Sequence, residues 1–251
     1  LTFFFFWASV HVLHQIIYIV DCYNGRVRAP QSLTSRLSDY AVVLTSLYPV
    51  AMYRFVHNTF TVGQNTLYFP EALKVDATWY LASAAFAAAL ANFLVRTWRE
   101  FKAGEGNLPK TLLILVTAIA TFVTPFFHEL DVAFQGLNSW HSFQYLGLTW
   151  YVNRLRYDRG DIPQTISLFS APGEWWKFYG FNIGLNLLGL TIIGTLLLTR
   201  SATGLSFDQC YYIVVLCFLL THYYHDHILF TESTDLTAPA QAMSGGAVAN
   251  R

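Results

Sequence analysis

Charge is the first thing this chain has little of. Only 12% of its 251 residues are Asp, Glu, Lys or Arg, about half the share of a soluble domain, which is roughly 25%. Lys and Arg together number 15, and so do Asp and Glu, so the formal net charge is zero and the pI about 7.2. No basic excess is present to hold nucleic acid. Cysteine is scarce as well: Cys22, Cys210 and Cys217 are an odd number with no CxxC pair. They read as core or membrane-facing thiols, which excludes a disulfide framework and a cysteine zinc site. The sequence shows no repeat of about 20–50 residues. It also has no Gly-rich phosphate loop, no Ser/His/Asp or Cys/His nucleophile motif, and no evident flavin, iron–sulfur or nicotinamide site. The chain opens on Leu1, already apolar, and so gives no basis for judging a signal peptide.

What is abundant is apolar. Hydrophobic residues make up 54% and aromatics 17%, with a mean hydropathy of +0.38. This composition predicts an all-α, polytopic integral membrane bundle. Seven apolar stretches are long enough, or nearly so, to cross a hydrocarbon core about 30 Å thick: Leu1–Val20, Tyr40–His57, Ala77–Trp98, Thr111–Phe127, Trp140–Arg156, Trp175–Thr199 and Gln209–Phe230. Pro49 predicts a kink in the second. With all seven crossing, Arg26, Arg28, Arg36, Arg99, Lys102, Lys110, Arg154, Arg156 and Arg159 fall on one side, against Arg54, Lys74 and Arg200 on the other. The richer side is cytoplasmic by the positive-inside rule. That places residues 1–230 in one transmembrane domain and residues 231–251 in a polar, mobile, cytoplasmic tail. If residues 140–156 form only a surface helix, the crossings number six and the last span reverses.

The polar residues inside these spans carry the functional reading. Leu220–Phe230 holds His222, His225 and His227 with Asp226 among them. On a helix His222 and His225, three apart, share a face, while His227 points away. His11 and His14 repeat the spacing of three in the first span. His128 is followed by Asp131 and Gln135 at offsets three and seven, provided the fourth helix continues past Pro125. His141 is followed by Gln144 and Tyr145 at offsets three and four. Ionisable groups in membrane segments are costly and usually functional, and imidazole is the commonest protein metal ligand. The ligand pool is therefore His11, His14, His128, His141, His222 and His225, with His57 and His227 outside it. Asp131 and Asp226 are expected as direct ligands or as acceptors that hold a ligating imidazole. Imidazole with carboxylate and no thiolate suits non-haem iron, and also zinc, copper or manganese. Iron is favoured by the setting, in which an unreactive lipid-soluble substrate meets dioxygen in the bilayer. Seven crossings put His222–His227 towards the inner half and His57, His128 and His141 towards the outer half; six crossings bring them to one side.

In His11/His14, His128 with Asp131, His141 with Gln144, and His222/His225, the chain resembles the integral-membrane iron oxygenases. These include the membrane fatty-acid desaturases and hydroxylases and the Brp/Blh type of carotenoid-cleaving dioxygenase. It departs from both patterns, having neither the HxxxH and HxxHH boxes nor a proline–histidine–glycine signature. The resemblance implies a membrane oxygenase acting with dioxygen on a lipid-soluble substrate, with any reductant supplied by a redox partner. Two other classes fit the composition. One is a haem-binding electron-transfer subunit with His pairs as axial ligands. The other is a non-catalytic subunit of a larger membrane complex, with Phe3–Phe6, Trp7, Trp175 and Trp176 facing lipid or partner helices.

Overall fold

The computed structural model describes residues 2–25, 32–58, 60–62, 65–127, 130–159, 169 and 171–231. Within them the side chains at 4, 62, 65, 130–132, 134–135, 155–156, 158–159, 200, 208 and 224–231 lie outside the description. The architecture is all-α apart from a two-stranded antiparallel hairpin, β1 (Thr61–Val62) with β2 (Asn65–Thr66), in register Thr61 to Thr66. The chain forms two compact units, Leu1–His141 and Ser142–Ser233.

The first unit opens with α1 (Thr2–Asn24), 23 residues without Gly or Pro. Its buried positions Phe5, Ala8, Val12, Leu13, Gln15, Ile16 and Val20 fall on one broad face of a helix. The next helix, α2 (Leu33–Thr45), starts well upstream of the expected Tyr40, because Ser32 caps it by accepting the Ser35 N–H at 3.2 Å. A second helix, α3 (Tyr48–His57), follows after Ser46–Leu47. The expected span Tyr40–His57 is thus divided, and the division falls where Pro49 predicts it. Proline has no N–H for the Thr45 carbonyl four residues back, and its ring crowds that carbonyl. The hydroxyl of Ser46 covers the break, donating to the Val43 carbonyl at 2.9 Å and pairing with the Thr121 hydroxyl at 2.6 Å.

The long α4 (Asp76–Lys102) ends in a Schellman turn. Gly104 adopts φ +75° and donates to the Phe101 carbonyl at 3.2 Å, while the Glu105 N–H reaches the Glu100 carbonyl at 2.9 Å. In α5 (Leu108–Val123), Asn107 caps the first turn by accepting the Lys110 N–H at 3.2 Å, and Pro109 sits where a missing N–H costs nothing. This helix does not run on through Pro125. It closes in a 3-10 turn over Thr124–Phe126, and α6 (Leu130–Arg159) begins afresh. Val12, Leu13, Ile16, Val20, Val42, Val43, Phe93, Ile114 and Ala118 form the core shared by α1, α2, α4 and α5, and Trp140 of α6 packs against it.

The second unit contains the remainder of α6, α7 (Trp175–Leu198), a four-residue helical turn over Arg200–Thr203, and α8 (Phe207–Thr231). Helices α7 and α8 pack where Gly189 lacks a side chain: a Cβ there would lie 3.2 Å from the Phe218 ring. Cys210 and Val214 of α8 and Phe178 of α7 are buried.

Among the described residues four helices are long and apolar enough to cross a membrane: Phe5–Asn24, Asp76–Lys102, Leu108–Phe126 and Trp175–Leu198. By length and composition, these four candidate spans point to a multi-pass membrane protein. The outward faces of α4 and α7 carry Tyr80, Leu81, Leu94, Ile183, Leu187 and Leu190 exposed, as expected of surfaces solvated by acyl chains. Helix α6 is longer than any of these, but His141, Gln144, Asn153 and Arg154 interrupt its apolar character. In α8 the apolar stretch is the shorter Gln209–Tyr223.

Candidate functional site

The structure places the histidines in distinct settings. On α1, His11 is half-buried beside the core face and His14 is exposed, so the pair of spacing three straddles the edge of that face. His141 on α6 is only 5% exposed, next to the Trp140 that packs on the core of the first unit. In the second unit His222 of α8 is half-buried, and its ring meets Tyr145 of α6 edge-on at 4.4 Å and 82°. Tyr145, four residues after His141 on α6, thus also contacts His222. His57 ends α3, with Nε2 3.5 Å from Asp76 Oδ1 at the start of α4 and its ring 4.6 Å from Tyr53 and 5.8 Å from Trp79.

The expected face shared by His128, Asp131 and Gln135 required a continuous helix past Pro125. Instead Asp131 and Gln135 belong to α6, and His128 lies outside the described residues. His225, Asp226 and His227 are within α8 and Asp131 within α6, but their side chains lie outside the description. Among the described residues no three His, Cys, Asp or Glu side chains come together as a metal site.

What the described residues do bring together is a polar network at one end of the first unit. Lys110 Nζ donates to Asp39 Oδ2 at 2.9 Å, with side-chain exposures of 2% and 5%. Tyr40 donates to Asp21 Oδ1 at 2.5 Å, and Arg36 donates to the Tyr40 hydroxyl at 2.9 Å and to Asp21 at 3.3 Å. Arg96 donates to Glu100 at 2.6 Å and to the Thr34 carbonyl at 2.7 Å; Ser35 donates to the same Glu100 oxygen at 2.9 Å. Asn92 donates to Ser38 at 2.9 Å, and Asn107 to the Tyr23 carbonyl at 3.2 Å. Three acids and three bases from α1, α2, α4 and α5 balance in charge. Burial pushes the Asp39 carboxyl up, partly offset by Lys110. Hydrogen bonds to Tyr40 and Asp21 push the Arg36 guanidinium further up, holding it charged.

Sequence reasoning missed this network, because the spans expected from hydropathy begin at Tyr40 and Thr111 and leave Asp39 and Lys110 one residue outside them. The available signal was the period of α2. Ser35, Ser38, Asp39, Val42 and Val43 fall at offsets of zero, three, four, seven and eight, and all are buried. Small polar residues continuing an apolar helical face mark a polar interior.

Comparison with family models, curated proteins and solved structures finds no match to this chain.

Proposed function

We propose that this multi-pass membrane protein is a metal-dependent oxidoreductase, a non-haem iron oxygenase acting with dioxygen on a lipid-soluble substrate. The observation that carries the reading is the sequestration of imidazole. His141 is 5% exposed in a helical unit whose outer surface is apolar, where an ionisable side chain is expensive and is kept for function. His11 and His222 are likewise drawn in, on two further helices. The donor set, imidazole and carboxylate without thiolate, fits iron. The ligand pool remains His11, His14, His128, His141, His222 and His225, with Asp131 and Asp226 as ligands or as acceptors fixing an imidazole. When bound, iron with open coordination positions supplies the reactive oxygen chemistry that an unactivated hydrocarbon requires. The chain's part is to hold the imidazoles in a dry, apolar setting. Any electrons come from a redox partner, unless the reaction is a dioxygenation. The topology proposed with it is seven crossings with the tail in the cytoplasm.

Elemental analysis of the purified protein, with an absorption spectrum, tests this. The expected result is iron in stoichiometric amount with no haem band. A haem band would assign the histidines to axial ligation. No metal in an intact preparation would make the chain a non-catalytic subunit.

A further inference from the structure

We infer that the buried Asp39 carboxyl, paired with Lys110, is a proton-exchange site of the first unit, at the end that also carries Asp21, Arg36, Tyr40, Arg96 and Glu100. This does not rest on the metal reading, since none of these residues belongs to the ligand pool.

The geometry sets Asp39 apart from the other acids of the network. Asp21 takes hydrogen bonds from Tyr40 and Arg36, and Glu100 from Arg96 and Ser35. Each is doubly supported and partly open to solvent, with side chains 25% and 19% exposed. Among the described residues Asp39 takes its hydrogen bond from Lys110 alone, and the pair is almost fully enclosed. Lys110 is in addition an ammonium in the first turn of α5, the end at which a helix presents its own partial positive charge. Solvent exclusion therefore weighs against the charged carboxylate.

In such surroundings the attraction between two charges and the cost of desolvating them are close to balance. A proton taken up from water gives a neutral Asp39 carboxyl beside a retained ammonium. Besides Lys110 of α5, the charges that act on Asp39 are Glu100 and Arg96 of α4, which pair with each other at 2.6 Å.

Infrared difference spectra of the whole protein in lipid bilayers, recorded between acid and alkaline pH in H2O and D2O, test this. The expected result is the carbonyl stretch of a buried, protonated carboxyl that appears on acidification, is lost in Asp39→Asn and moves in Asp39→Glu. In Lys110→Met, where the cation is gone, the midpoint of that band rises by roughly one to three pH units. Should Asp39→Asn fail to fold, the wild-type, Asp39→Glu and Lys110→Met spectra still decide. Absence of a titrating buried carboxyl in the wild type, survival of the band in Asp39→Asn, or no change of the midpoint in Lys110→Met would each overturn the proposal.

Discussion

Removing Lys110 is the most informative single perturbation of the first unit. Lys110→Met deletes the ammonium and keeps an unbranched side chain of similar length, leaving the Asp39 carboxylate enclosed without its partner. The exposures of 2% and 5% decide the magnitude: solvent cannot take over the lost interaction, and breaking a buried pair from one side costs about 3–5 kcal/mol. Replacing both groups, in Asp39→Leu/Lys110→Met, removes the two desolvation costs together and is expected to end near neutral. The Arg36–Asp21 pair is an internal control. Its side chains are 44% and 25% exposed, so Arg36→Met is expected to cost about 0–1 kcal/mol, as water and salt screen it. The effect of Lys110→Met also depends on pH. Burial holds the Asp39 carboxyl above its ordinary value, so the folded state binds that proton more tightly than the unfolded one. The corresponding stability is present below the ordinary carboxylate value, about 4, and is lost as pH rises through the raised value. Without Lys110 that upward shift grows, so the variant is least impaired in acid and weakens as pH rises. Unfolding in mixed micelles, followed by tryptophan fluorescence at several pH values, reads all of this. The reasoning fails if Lys110→Met is no more damaging than Arg36→Met, or if the double variant equals the sum of its singles.

The other predictions concern the metal, the topology and one turn. Alanine at His222 or at His225 should strip metal and abolish activity while alanine at His227 does much less; full metal occupancy in the first two would remove α8 from the site. Asp226→Asn should lower metal affinity or activity about 10–100-fold in a protein that still folds, and unchanged metal content would return Asp226 to an ordinary helix-end residue. Cysteines introduced near Arg154 and in the tail should label from the same side of the membrane, whereas labelling from opposite sides would favour six crossings. Gly104→Ala should lower stability by about 1–2 kcal/mol, because a side chain at φ +75° is strained although space around it is open; a thermal midpoint equal to wild type would contradict the Schellman turn.

The membrane-helix class was legible because it rests on bulk properties. A chain with 12% charge and long apolar runs has few other solutions, and Asp76–Lys102, Leu108–Phe126 and Trp175–Leu198 lie close to the stretches expected from hydropathy. The kink at Pro49 was legible because it depends on one residue's missing N–H. The start of α2 was not. Leu33–Asp39 looks like loop when judged by hydropathy, since Thr34, Ser35, Arg36, Ser38 and Asp39 are polar, yet the Ser32 cap and a buried face of small polar residues make it helix.

The same difference explains why the candidate sites divided as they did. Histidines stand out in an apolar run, so residue type brought His11, His141 and His222 forward, but the setting of each ring depends on which helices neighbour it. Tyr145 shows this: its spacing of four puts it one turn from His141, and tertiary packing within the second unit sets its ring against His222 as well. The Asp39–Lys110 pair was hidden for the opposite reason. Its members are 71 residues apart in sequence, each beside other charges, and each was counted with the loop nearest to it. Only packing α2 against α5 turns two apparent surface charges into a buried couple. In a membrane bundle a charge at a span's edge therefore has to be tested against the helical period on both sides of it before it is assigned to the loop, because one or two turns of helix decide whether it meets water or another helix.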